Sequence, residues 1–425
     1  MTISVAAIYI EDGEYSSAKS TPSTVSGGVV GNALAQNVTI SSDEESFNGL
    51  YVTGADSSYT FLNSEIDLSG NGSNDFDGTG AGAMAYDGAT LVLRNVDITT
   101  NGCIRSAVTV TESSTLKVYD SVLTANGGTL PSDYVTKIGP GMMEPPSGLG
   151  ISGTCRCCLT MGNSSSYFYD STITANGWGA LSTDSAAGYV YMEANNCKVR
   201  TVEDGYCAYA DNGCHDVFNS CEIDSAAMAI IMAGVCSAVY TNTDATCGTY
   251  FAMIHNVMGQ TSEIASLTVT GGTIETEKAS FYVKSANTDI IVNGTEITSD
   301  TLLQTIINSD TNRTVVPAGE VVHGVHATFK NTTLKGAILH EDTERTTTVS
   351  LVSSTLAGKI QDAIISIDSD SKWTATANSV VTLGSASLSC IDAASGITIT
   401  AAIGTDCTLS SGTYTLASGG TLVLS

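Results

Sequence analysis

One phrase returns five times between Ala89 and Cys236: TLVLRNVDITTNG (90–102), TLKVYDSVLTANG (115–127), SYFYDSTITANG (166–177), VYMEANNCKV (190–199) and HDVFNSCEI (215–223). Each copy is an alternating apolar run, a small polar pair, and then an apolar anchor. The anchors Ile98, Leu123, Ile173, Val199 and Ile223 recur about every 25 residues, or about twice that where something is inserted. Shorter versions stand upstream as NVTI (37–40) and NSEI (63–66). Plainer ones follow as IASLTVTGGTI (264–274), DIIVNGTEI (289–297), ATFKNTTL (327–334) and TTVSLVSSTL (347–356). A fixed period in this range is the mark of stacked supersecondary units, each unable to bury its inner face alone.

Three short strands fit into each period. One precedes the polar pair (Tyr167–Tyr169), one follows it (Thr172–Ala175), and a third lies further on (Ala180–Thr183). Equivalent third strands are expected at 106–110, 149–153, 206–210, 229–233, 250–255 and 281–285. Strand-sized alternation separated by Gly and Asn predicts an all-β, single-domain parallel β-helix with three-strand coils of about 22–27 residues. A leucine-rich repeat would need a Leu/Asn consensus that is absent, and a propeller blade would need longer, antiparallel repeats. Sparse helix formers agree with this, and 42% apolar residues suffice for a core. The expected organisation is an N-terminal cap over 1–30 and a β-helix over 31–363. Terminal coils and a C-terminal cap follow over 364–425.

The largest break in the rhythm is Gly128–Gly148, which holds four of the six prolines together with Tyr134 and Lys137. An excursion of that length reads as a flap that walls a site, or else as a packing or homo-oligomer contact.

A net charge of −27 repels nucleic acid and anionic membranes and keeps a long β body soluble. No apolar run reaches the length of a membrane span. Cys197 and Cys221 occupy the repeat position held by Ser121 and Ser171 elsewhere, so they read as small, reduced core residues. The cluster Cys155-Arg-Cys157-Cys158 lacks the spacing and the fourth ligand of a zinc site. The N-terminus lacks the basic region and apolar stretch of a signal peptide. Together these features favour a cytoplasmic protein, or an extracellular one if a leader has been removed.

The periodic NVDI/DSVL/DSTI phrase resembles that of right-handed parallel β-helix proteins, the pectate-lyase-like superfamily, including adhesin-like repeat proteins. The resemblance covers about residues 30–425 and rests on no catalytic motif. It implies a right-handed winding, in keeping with the general preference for right-handed crossovers, and a carbohydrate-related role.

Side chains at equivalent strand positions of a β-helix stand about 4.8 Å apart from coil to coil, so chemistry is sought in columns. The third-strand column carries Asp184, Asp211, His255 and Lys284, with Tyr206 and Tyr209 beside Asp211. Two carboxylates one coil apart can serve as acid and base, and their proximity raises one pKa. A tyrosine can stabilise developing charge, and a histidine works near neutral pH. Substrate contacts are expected from Arg105, Tyr134, Lys137, Trp178 and His215. Each Asp also has the ordinary reading of a strand-end cap. His323 and His326 share one strand face but show no carboxylate neighbour in the sequence, so no metal site is expected. No cofactor is expected either, although Asp184 and Asp211 would suit a cation such as Ca²⁺.

The resemblance implies a cofactor-independent lyase, hydrolase or isomerase/epimerase of carbohydrates, and the acidic charge with its acid/base carboxylates and tyrosines suits a neutral saccharide or another small polyhydroxylated compound. The alternative is a non-catalytic adhesin-like or structural surface protein.

Overall fold

The computed structural model describes residues 3–72, 78–129, 155–184, 188–256, 259–308 and 313–425. Among them there is no α-helix, only strands and two single 3₁₀ turns at Pro22–Thr24 and Leu388–Cys390. The chain divides into two compact units, Met1–Ile230 and Ile231–Ser425. Each is built as a parallel β-helix, most of whose coils supply one strand to each of three columns.

In the first unit, the strand Thr115–Tyr119 pairs in parallel with Thr90–Arg94 before it and Ser165–Tyr169 after it. Val122–Ala125 lies in the same way between Asp97–Asn101 and Thr172–Ala175, in register at Ile98, Leu123 and Ile173. The expected anchors therefore stack directly on one another. The polar pair between these strands has two separate jobs. Its first residue sits in the left-handed region, with φ of 49° at Asn95, 49° at Asp120 and 50° at Asp170. Asn and Asp tolerate that conformation better than other side chains. Its second residue is a buried rung. The Ser121 hydroxyl donates to the Tyr119 carbonyl at 2.6 Å and accepts from the Val96 N–H at 3.2 Å. Ser171 repeats this one coil on, donating to the Tyr169 carbonyl at 2.7 Å and accepting from the Ser121 N–H at 3.1 Å. Cys197 and Cys221 continue the ladder, buried and hydrogen-bonded to each other.

The third column begins earlier than the sequence suggests, since Ala6–Glu11 already pairs in parallel with Asn48–Thr53. The expected cap region instead contributes Val25–Val30, antiparallel to Leu34–Ser42. The column runs on through Val108–Val110, Cys155–Met161, Trp178–Asp184 and Tyr206–Ala210. The rung expected at 149–153 is supplied by Cys155–Met161, while 149–153 lies outside the described residues. Every residue of Cys155–Met161 is buried, so its two faces carry no polar/apolar alternation.

In the second unit, Ile264–Thr270, Asn287–Asn293, Val325–Lys330 and Thr347–Val352 form one column. Phe281 packs between Phe251 and Phe329, with ring centroids 6.0 and 6.3 Å away. Towards the C-terminus the corner between columns disappears: Ile360–Ile367 pairs with both Ala337–His340 and Thr347–Val352. Gly412–Thr415 then turns antiparallel against Thr421–Leu424. That hairpin occupies a strand edge which would otherwise invite intermolecular pairing.

Candidate functional site

The third column of the first unit gathers most of the expected chemistry. Thr183 pairs with Ala210, which sets the next residues, Asp184 and Asp211, side by side at the strand ends. Their carboxyls are hydrogen-bonded to each other. Asp211 is buried and Asp184 half-buried. Burial lifts Asp184 above the ordinary carboxylate value, against the pull of Arg156 and of the hydrogen bond from Asp211. Two neighbouring carboxyls drawn out of water disfavour double ionisation.

Around the pair stand Tyr206, Tyr209, Ser182, Arg156 and Trp178. The Tyr206 and Tyr209 rings lie 5.6 Å apart, and the Tyr206 hydroxyl is 3.1 Å from Ser182 Oγ. The Arg156 guanidinium sits over the Trp178 ring at 4.3 Å and hydrogen-bonds Tyr206. Trp178 also meets Tyr206 edge-on at 6.3 Å and has a φ of +82°, a strained backbone for an aromatic residue. The neighbouring Gly179 is required by packing: a Cβ there would lie 2.6 Å from the Tyr206 ring. Burial, reinforced by Asp211 and Asp184, pushes Tyr209 well above its usual pKa, so it stays a neutral phenol.

Arg156 is the residue that reading the sequence missed. It was hidden in the cysteine cluster, whose members are strand residues: Cys155 donates to the Ala125 and Gly177 carbonyls at 3.4 and 3.6 Å. All twelve cysteines are free. Asp216 was missed as well. It lies 1% exposed in the core, accepts the Thr183 hydroxyl at 2.9 Å, and burial raises its pKa well above the ordinary value.

Arg105 and His215, also expected, lie elsewhere in the first unit. Arg105 is fully buried and donates to the carbonyls of Glu44 (2.8 Å) and Phe47 (3.3 Å). Desolvation lowers its pKa to about 10. That is the setting of an internal clamp on the 44–47 loop rather than a substrate contact. His215 belongs to the first-strand column opposite Tyr191, 4.6 Å from the Tyr189 ring, and burial lowers its pKa. This column carries a run of aromatic pairs: Tyr119–Tyr169 stacked at 5.0 Å, Tyr167–Tyr191 at 5.7 Å, and Tyr189–Tyr191 stacked at 6.4 Å. His255 and Lys284 pair across adjacent strands of the second unit and are both buried. Tyr134, Lys137 and the 130–148 part of the flap lie outside the described residues.

The His323/His326 pair does have a carboxylate neighbour. Asp289, across the strand from His326, lies 2.8 Å from His323 Nε2 and 3.9 Å from His326 Nδ1. Among the described residues this trio is the one cluster of three side chains whose spacing suits a metal ion.

By fold the chain is a parallel β-helix protein. It matches no protein-family model and no curated protein sequence. No helix among the described residues is long and apolar enough to cross a membrane.

Proposed function

We propose that the protein is an enzyme of the pectate-lyase-like kind, a cofactor-independent lyase, hydrolase or isomerase/epimerase, acting on a neutral saccharide or similar polyhydroxylated compound. The observation that carries this reading is the side-by-side placement of Asp184 and Asp211 at adjacent strand ends, with the Asp184 pKa raised by burial and the Arg156 guanidinium nearby. One member can give a proton while the other accepts one, the requirement for acid–base work at a C–O or C–H bond. Charge supports a neutral substrate: Arg156 already stands as a positive partner to the carboxyls. With its positive partner already present, the pair has less call for Ca²⁺. Tyr206 and Ser182 supply hydroxyls for orientation, and the aromatic run of the first-strand column offers stacking faces for sugar rings. Reduced cysteines suit a cytoplasmic setting.

A second reading has its own observation. Tyr206 is 1% and Asp211 4% exposed, the burial expected of a polar layer that merely locks the coils of an adhesin-like scaffold. The two readings part in one experiment. A panel of neutral oligosaccharides and polyols is screened by thermal shift and product analysis, with wild type against Asp211→Asn and Asp184→Asn. The enzyme reading expects a hit whose turnover falls by about a hundredfold or more in either variant while the fold persists. No hit, or a ligand bound equally by wild type and both variants and never turned over, favours the scaffold.

A further inference from the structure

We propose that Asp289, His323 and His326 form a binding site for a divalent transition-metal ion of the zinc class. This inference stands apart from the acid–base reading above. The donors are His323 Nε2, His326 Nδ1 and an Asp289 carboxylate oxygen, all within 4.8 Å of one another. An ion bonded to N and O at about 2.0–2.2 Å needs donor atoms roughly 3–3.5 Å apart. The observed 2.8 and 3.9 Å to Asp289 bracket that span. Two imidazoles and one carboxylate select zinc, cobalt, iron or nickel over calcium and magnesium, which take oxygen ligands.

The arrangement is built by the backbone rather than by chance meeting of long side chains. Asp289 and His326 are register partners on Asn287–Asn293 and Val325–Lys330. His323 is brought back to them by Gly324, whose φ of +77° and close approach to Thr346 exclude a side chain. Asn287, 2% exposed, fixes that turn. Its Oδ1 accepts the Gly324 N–H at 3.0 Å while its Nδ2 donates to the Thr261 and Glu263 carbonyls at 2.8 and 3.0 Å. The Thr288 N–H closes the turn from the other side, bonded to the Gly324 carbonyl at 2.9 Å.

An ion pair alone explains less of this geometry. The His323–Asp289 pair is 28% and 46% exposed, a setting in which such a pair contributes little. It also gives no reason for the His326 ring to stack on His323 at 4.3 Å, where two protonated rings would repel. A metal uses both rings as neutral ligands and leaves its remaining positions to water. It would also fasten the non-repetitive segment 313–324 at its second end. The first end is already held by Arg313 to Glu344 at 2.8 Å and by Arg345 to the Thr314 carbonyl at 2.8 Å.

The test uses the full chain, free of affinity tags and stripped with chelator, titrated with Co²⁺ and followed by absorption and calorimetry. One equivalent should bind with d–d bands and no thiolate charge transfer, and Zn²⁺ but not Ca²⁺ or Mg²⁺ should displace it. Asp289→Asn and His326→Gln should each weaken binding about tenfold or more, and His323→Gln/His326→Gln should abolish it. Cys407→Ser, which removes the one thiol that is not buried, should change nothing. Unaltered thermal melting of the metal-free double variant shows that any loss is one of ligands and not of fold. No saturable Co²⁺ or Zn²⁺ binding in wild type, or binding that survives in the double histidine variant, would overturn the proposal.

Discussion

At the scale of single residues, burial decides which groups can do chemistry. Asp216 makes one hydrogen bond in the core, and desolvation raises its pKa well above the model-compound value of 3.8. A carboxyl held protonated in the folded state but free to ionise when unfolded contributes stability at low pH. That contribution drains away as pH rises from the unfolded value towards the folded one. Asp216→Asn cannot ionise, so its stability relative to wild type should improve as pH rises from about 4 to 8. Urea denaturation at several pH values checks this, and a difference that does not vary with pH would contradict it. Asp392 behaves oppositely. Hydrogen bonds from Ser418 and the Lys372 ammonium hold its pKa at about 2, so its contribution persists above the unfolded value and is lost only in strong acid.

What the sequence could reveal at this scale followed from spacing. Asp184 and Asp211 stand at matching ends of consecutive third strands, and counting repeats was enough to set them side by side. Arg156 escaped because its strand is buried on both faces and shows no alternation. Asp289 escaped because its partner His323 lies 34 positions away in sequence, across a break in the repeat. Column neighbours are invisible wherever the period is interrupted.

At the scale of elements, the bend between first and second strands carries the fold. Asn95 holds a φ of 49° and hydrogen-bonds Asn63 in the preceding coil at 2.9 Å. Asn95→Val should cost about 1–2 kcal/mol from the left-handed backbone alone, whereas Asn95→Gly keeps the backbone and loses mainly the exposed hydrogen bond. Equal denaturation midpoints for the two variants would remove the bend from the account. The close approach at Gly179 makes a second expectation. Gly179→Ala forces the Tyr206 ring to move, at about 1–3 kcal/mol of stability, and it disturbs the site with no charge changed. Melting temperature and tyrosine fluorescence measure both effects. The repeating phrase was legible because the bend takes Asn, Asp, Ser or Gly, as at Asn95, Asp120, Ser220 and Gly294, and the rung beneath it takes a small side chain, often Ser, Thr or Cys. Those two preferences are local, so they recur in the sequence from coil to coil.

At the scale of the whole molecule, a net charge of −27 over a body with few basic residues implies self-repulsion in the folded state. Raising ionic strength from about 20 to 200 mM shortens the Debye length severalfold and should raise the melting temperature. A melting temperature indifferent to salt would mean that the charges are already too far apart to matter. Against this acidic background the carboxyl pair stands out, because burial raises the Asp184 pKa against the pull of Arg156. Carboxyl ¹³C NMR on aspartate-labelled protein reads the pair's protonation directly. The expected result is that a proton on the Asp184–Asp211 pair is retained above the ordinary value of 3.8 and is released in a step separate from the exposed aspartates. Both carboxyls titrating together with the exposed aspartates would contradict it.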